Sequence, residues 1–327
     1  DEAAELLEAL RRRGAAPAPP PPAASSPAVP GRRPAPPVDE YKLWPRACEP
    51  NTRRKQTLGV DLLPHMGSSS MEDAENVERK ISLNVFGGLT GSVRGFELGL
   101  FLNIDVHAMC GLQMGLVNYV GGPVEGVQLG LVHWTSGRVS GFQGGLVGVA
   151  LGPVRGIQAG NVTIAGDYLH GAQLGLANVA GSHVRGAQFG LANIAGDYVH
   201  GAQFGLVNVS SMQLEGAQLG LINVAGAAAV GPQWGLVNFA NQSLRGAQLG
   251  LVNVTSGRVD GAMIGLVNVA EDADAAIGLV SVLWKGRTHL DVWATDTGLA
   301  MLGVEHGSRI IHQIIGAGIS SRHDQAM

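Results

Sequence analysis

From Ile81 to about Leu283 apolar residues alternate with glycine and polar residues, and the whole pattern returns every fifteen residues. Glycine stands at 111, 126, 141, 156, 171, 186, 201, 216, 231, 246 and 261, and each is followed four residues on by another, from Gly115 to Gly265. Between these glycines lie Gln113, Gln128, Gln143, Gln158, Gln173, Gln188, Gln203, Gln218, Gln233 and Gln248, with Met263 in the eleventh unit. Asparagine holds the eighth position in eight of the eleven units, among them Asn178, Asn193, Asn208, Asn223, Asn238, Asn253 and Asn268. Eleven units in register define a repeat architecture.

The unit Gly171–Arg185 (GAQLGLANVAGSHVR) shows what one copy builds. Ala172, Leu174 and Leu176 alternate with Gln173, Gly175 and Ala177, and a period of two predicts a strand. Asparagine tolerates left-handed backbone, so Asn178 is expected at a corner. Val179 and Ala180 form a second short side, and Gly181 with Ser182 makes a turn. Val184 then supplies one inward side chain on a third side, as do its equivalents Val124, Val139, Val154, Leu169, Val199, Leu214, Leu244 and Val259. Gly186 turns the chain into the next copy.

Three short sides per unit predict an all-β fold, a narrow triangular β-solenoid (β-helix) with fifteen residues per coil. Coils about 4.8 Å apart would make twelve of them rise on the order of 55 Å. Equivalent residues then stack, glutamine as an amide ladder along one face and asparagine as another at a corner, around a dry interior. A lone coil buries little, so stability must come from neighbours and capped ends. An outer-membrane β-barrel, a pore or an anchor, is the rival geometry, since it also alternates faces along short strands. Against it, every inter-strand segment has one length and Trp134 and Trp234 stand isolated, without aromatic girdles.

The chain divides into a short helical stub (1–13), a Pro/Ala-rich disordered linker (14–56), an N-terminal lead-in and cap segment (57–110), the repeat solenoid (111–283), and a C-terminal β cap and tail (284–327). Ten prolines between Pro17 and Pro37 make the linker a semi-rigid spacer. In the C-terminal segment His289–Trp293, Leu299–Val304 and Arg309–Ile315 read as hairpin strands able to cover the last coil. A strand-like piece spans Thr57–Leu63.

Charge sharpens this picture. Charged residues are 15% of the chain, the net charge is −4, and no lysine occurs between Lys80 and Lys285. That leaves one narrow polar stripe on the repeat and no basic face for nucleic acid. Apolar runs are cut by glycine, proline and arginine, against a membrane-spanning helix. No signal peptide is visible at Asp1–Arg13, and a start at Asp1 suggests a fragment or processed chain. The two cysteines, Cys48 and Cys110, are expected as unpaired thiols.

Candidate chemistry is sparse. His170 and His200 share the last repeat position two rungs apart, about 10 Å, too far for one metal. They read as exposed surface histidines, and Tyr168 and Tyr198 as exposed tyrosines. Asp167 and Asp197 recur at a turn, without the glycine-rich calcium-binding pattern. GxSxG, HExxH and Walker sequences are absent, so neither catalysis nor a cofactor or metal is expected.

The repeats GAQLGLANVAG (171–181), GAQFGLANIAG (186–196) and GAQLGLINVAG (216–226) resemble those of the bacterial surface-repeat protein family. ISLNVFGG (81–88) with VRGFELGLFLNID (93–105), and more loosely HLDVW (289–293) with GSRIIHQIIGAG (307–318), extend the likeness over roughly 57–319. The resemblance implies a cell-envelope location, surface-exposed or at the outer membrane, and carries no activity onto any residue. The expected function is a non-enzymatic structural or interaction platform with a protein or glycan partner or a membrane contact. A carbohydrate-binding β-helix is a further alternative, though it lacks the acidic cluster expected of one.

Overall fold

The computed structural model describes residues 54–68, 74–294 and 299–320. The helical stub at 1–13 and the linker up to residue 53 lie outside the described residues. Residues 54–56, assigned to the linker from sequence, already belong to the first strand, Arg54–Leu63.

Apart from the repeat around Pro232, whose long strand is split into Ala229–Val230 and Gln233–Trp234, most repeats give a six-residue strand and a four-residue strand, as in Leu169–Leu174 and Ala177–Ala180. Both pair in parallel with their own copies one repeat on: Leu169 opposes Val184, Gln173 opposes Gln188, and Asn178 opposes Asn193. Repeat after repeat keeps this register, so the chain winds a β-solenoid of about 14 turns. Successive barrel strands would run in opposite directions. The parallel pairing therefore overturns the barrel geometry.

The long strand is divided at its glycine. Gly171 has φ +141°, a conformation L side chains rarely adopt. A Cβ there would lie 1.9 Å from the carbonyl oxygen of Gly156, the same residue one coil earlier. The glycine rank thus lets neighbouring coils approach and splits the strand into two short legs, with the four-residue strand as the third side.

The interior departs from the sequence expectation in composition. Val184 and Ala180 point inward, as expected of an apolar core. Gln173 and Asn178 also point inward, fully buried, and so do the other repeat glutamines and asparagines. Leu174 and Leu176 face outward, the latter half exposed. The physical reason is cross-section. Fifteen residues closing three short sides leave room inside for one valine or leucine, one alanine and two amides. Asn178 is therefore not at a corner but within the strand Ala177–Ala180, and His65 is the one non-glycine residue with positive φ among the described residues.

Both ends are built differently. The lead-in segment is itself coiled: Arg54–Leu63, Val77–Asn84, Gly87–Gly99 and Leu102–Met114 pair successively in parallel. Inside it Arg79 and Asp61 form a buried ion pair at 2.6 Å. At the other end Arg287–Ala294, Leu299–Gly307 and His312–Ser320 make an antiparallel sheet. It docks on the last coil, where the Arg309 and Ile310 amides donate to the Ala273 and Asp274 carbonyls at 3.0 Å, and Gln313 Nε2 donates to the Gly278 carbonyl at 2.7 Å. Cys110 is disulfide-bonded rather than a free thiol, correcting the sequence expectation.

Candidate interaction surface

Parallel in-register strands place identical side chains one rung apart, and a primary amide has the donors and the acceptor to bridge that gap. Gln188 Nε2 donates to Gln173 Oε1 at 2.8 Å and to the Ile194 carbonyl at 3.3 Å, using both its hydrogens. The same step links all ten repeat glutamines, from Gln128 on Gln113 (2.7 Å) to Gln248 on Gln233 (2.8 Å). Asparagine makes the second ladder: Asn178 Nδ2 donates to Asn193 Oδ1 at 2.8 Å and to the Phe189 carbonyl at 2.8 Å. That series continues through Asn208, Asn223, Asn238 and Asn253 to Asn268.

The ladders have opposite polarity. Glutamine N–H groups point toward the N-terminal end and asparagine N–H groups toward the C-terminal end. At the N-terminal end Gln113 donates to two buried acids, Glu97 and Asp105. There, too, Arg79 donates to Ser82 Oγ (3.2 Å), Ser82 to Asn84 Oδ1 (3.3 Å), and Asn84 to Asn103 Oδ1 (2.7 Å). Acids thus meet the N–H end of the glutamine ladder, as they do at a helix N-terminus. Arg79 heads a separate run through Asn84, Asn103 and Asn118 to His133, which Gly148 divides from the ladder that begins with Thr163 donating to Asn178. Burial raises the Glu97 carboxyl above its ordinary range, against hydrogen bonds from Gln113, Asp105, Asn84 and Ser82 that lower it. Asp105 is raised well above its range, by burial first and then by the Glu97 charge. In the asparagine rank His133 is pushed down by burial, with Nδ1 toward Asn118 and Nε2 toward the Gly144 carbonyl at 2.9 Å.

With amides inside, the large apolar side chains make the outer surface. Leu176 is 51% exposed, Leu191 50% and Trp234 61%. On the four-residue strands both outward positions are apolar or aromatic in every coil from Val117 and Tyr119 to Val280 and Val282. Contiguous apolar surface on this scale is uncommon on monomeric soluble proteins.

The remaining side is polar. Tyr168, His183 and Tyr198 stack at centroid spacings of 4.9 and 4.7 Å. Tyr168 is buried, not exposed as the sequence suggested. His170 Nε2 lies 3.3 Å from His183 Nε2, while His200 pairs with Glu215. Sequence spacing did not single out His183, on the rung between His170 and His200. Among the described residues no group of three or more potential ligands gathers around a metal position.

Two features escaped sequence reasoning although signals existed. Glu97 occupies the glutamine rank one coil before Gln113, but at sixteen residues, so a strict fifteen-residue count misses it. The outward rank runs from Gly144 to Trp234 in size, a range no packed interior would accept, whereas the inward rank holds glutamine ten times. No family model, curated protein or solved structure matches the chain.

Proposed function

We propose that the chain is a non-enzymatic structural and interaction platform of the bacterial envelope, whose working parts are the apolar outer ranks of the solenoid. The observation that carries this reading is the unbroken apolar pair of outward positions on twelve successive four-residue strands. Such a surface is maintained coil after coil by a repeat that would gain solubility from any polar substitution there. The envelope part rests on the repeat resemblance, and the disulfide at Cys110 supports it because such bonds persist in oxidising compartments. The rigid, hydrogen-bonded interior supplies the flatness a platform needs.

Fractionating bacterial cells that produce the full-length protein tests the location. The chain is expected in the envelope fraction and sensitive to protease added outside the inner membrane. Recovery wholly in the cytosolic fraction would overturn the reading.

A further inference from the structure

We infer that the flat face formed by the four-residue strands is covered in solution by the same face of a second copy of this chain. This rests on reading the apolar ranks as an interaction surface and names the partner. Three observations select it.

The first is period and shape. The face carries β-branched pairs such as Ile194 with Val209 and Val254 with Val269, mounted on strands paired without a register shift from Val117 to Val282. Ranks repeat every rung, about 4.8 Å. A surface with that same spacing is another copy, because a two-fold axis lying in the plane of the interface and perpendicular to the solenoid axis turns the same face toward itself, reverses the solenoid axis and keeps the rank spacing. Side chains of the two sheets then interdigitate at about 10 Å separation.

The second is area. Twelve coils of four residues make a patch roughly 55 by 13 Å, so a face-to-face pair would cover about 1,500 Å² in all, the size of a stable, specific interface.

The third is the rim. A sheet lying on lipid would be bordered by lysine, arginine and interfacial aromatics. Here the rank beside the face is leucine, as at Leu191, Leu206 and Leu221, and no lysine occurs between Lys80 and Lys285. The opposite rim carries small residues at Gly181, Gly196, Ser211 and Gly226, which let a second sheet approach. Continuation along the axis is blocked at the C-terminal end by the docked antiparallel sheet, so pairing is lateral and closes at two.

Sedimentation velocity on the full chain, at micromolar concentration and without detergent, tests this. The unaltered protein is expected as a dimer. V209E/V224E puts two carboxylates on the face without touching the buried amides, and is expected to weaken the dimer at least about a hundredfold while keeping the β-sheet circular dichroism. R245E, on the polar side, is expected to leave the dimer intact. If the glutamate pair fails to fold, V209T/V224T, which keeps the side-chain shape, is expected to weaken the dimer by about tenfold. A monomeric unaltered chain overturns the inference, as does a dimer indifferent to the face variants. So does a monomer that floats with vesicles of phosphatidylethanolamine and phosphatidylglycerol, which makes lipid the occupant. None of these results moves the protein out of the envelope fraction, so the two readings fail separately.

Discussion

Gln113 donates its side-chain amide to Glu97 at 2.7 Å and to Asp105 at 2.8 Å, and through this one residue the glutamine ladder rests on a buried acid pair. Each further glutamine repeats the donation toward the same end, so the bond dipoles align along the solenoid and their positive end meets the carboxyls. In the asparagine rank donation runs the other way, and Arg79 heads its first segment through Ser82, Asn84, Asn103 and Asn118 to His133, where Gly148 separates it from the Asn178–Asn268 ladder. Chains of aligned hydrogen bonds polarise one another, so the glutamine ladder and the acid pair at its end act as one unit inside the coil.

The acid pair sets a pH dependence. Glu97 and Asp105 bind protons more tightly in the folded chain than in the unfolded one, where burial is lost. Above the ordinary carboxylate range of about pH 4 the native state therefore holds the extra protons, and this contribution to stability falls as pH rises toward the folded values. Asp105→Asn keeps the shape and removes one titrating group. Urea midpoints are expected to rise with the substitution at neutral pH and to change little in mild acid. Equal effects at both pH values would remove the acid pair from the account.

The ladder predicts a position-dependent cost. Met263 already stands in the glutamine rank, fully buried, so methionine fits there. Gln203→Met removes a donor to Gln188 and an acceptor for Gln218, and one or two orphaned buried groups cost about 2–4 kcal/mol. Gln248→Met, next to Met263, removes the donor to Gln233 and to the Val254 carbonyl at 3.5 Å and the acceptor of a Thr255 hydroxyl, which can rotate to another partner, but leaves no following glutamine without its acceptor. Equilibrium unfolding should show the inner substitution as the more damaging. If both cost the same small amount, the amides are not linked as described.

Glycines are not interchangeable along the repeat. Gly201 has φ +141° and a Cβ there would sit 1.9 Å from the Gly186 carbonyl oxygen, so Gly201→Ala is expected to cost about 3 kcal/mol or more. Gly148 lies in the asparagine rank, where a Cβ would meet Gln143 at 3.7 Å and Gln158 at 3.9 Å, ordinary contacts. Gly148→Ala is expected to stabilise by about 0.5–1 kcal/mol. Opposite signs in thermal unfolding support the coil geometry, and a destabilising Gly148→Ala would count against it.

Cys110 gives a simple chemical check. Alkylation of the denatured, unreduced protein followed by mass measurement should show no adduct, and adducts only after reduction. A thiol that reacts before reduction would withdraw one support for an oxidising compartment.

The repeat, its fifteen-residue coil and the inward valine rank at Val184 and its equivalents were legible because vertical stacking preserves position, and position is what a sequence displays. The stacking of Gln173 under Gln188 was legible for the same reason. Which side of the strand faced inward was not. Alternation at Ala172–Ala177 fixes two faces but does not label them, and the sequence placed glutamine as a ladder along one face around a dry interior without saying which side that face takes. Cross-section decides the side, since a coil too narrow for Leu174 and Leu176 accepts an amide whose every hydrogen finds an oxygen. Glu97 was hidden by a sixteen-residue step, Asp105 by standing fifteen residues before Val120 in a rank of small and apolar side chains, and His183 by its neutral place in a turn.

The most direct test of an amide-filled, leucine-coated coil is hydrogen exchange at the side-chain amides of Gln188, Gln203 and Gln218, followed by nitrogen-resolved NMR after transfer to heavy water. Buried and doubly bonded, these NH₂ groups should persist as long as the backbone amides of their own strands. Loss of their signals at the rate of free glutamine, while the backbone stays protected, would put the ladder on the surface and contradict the account.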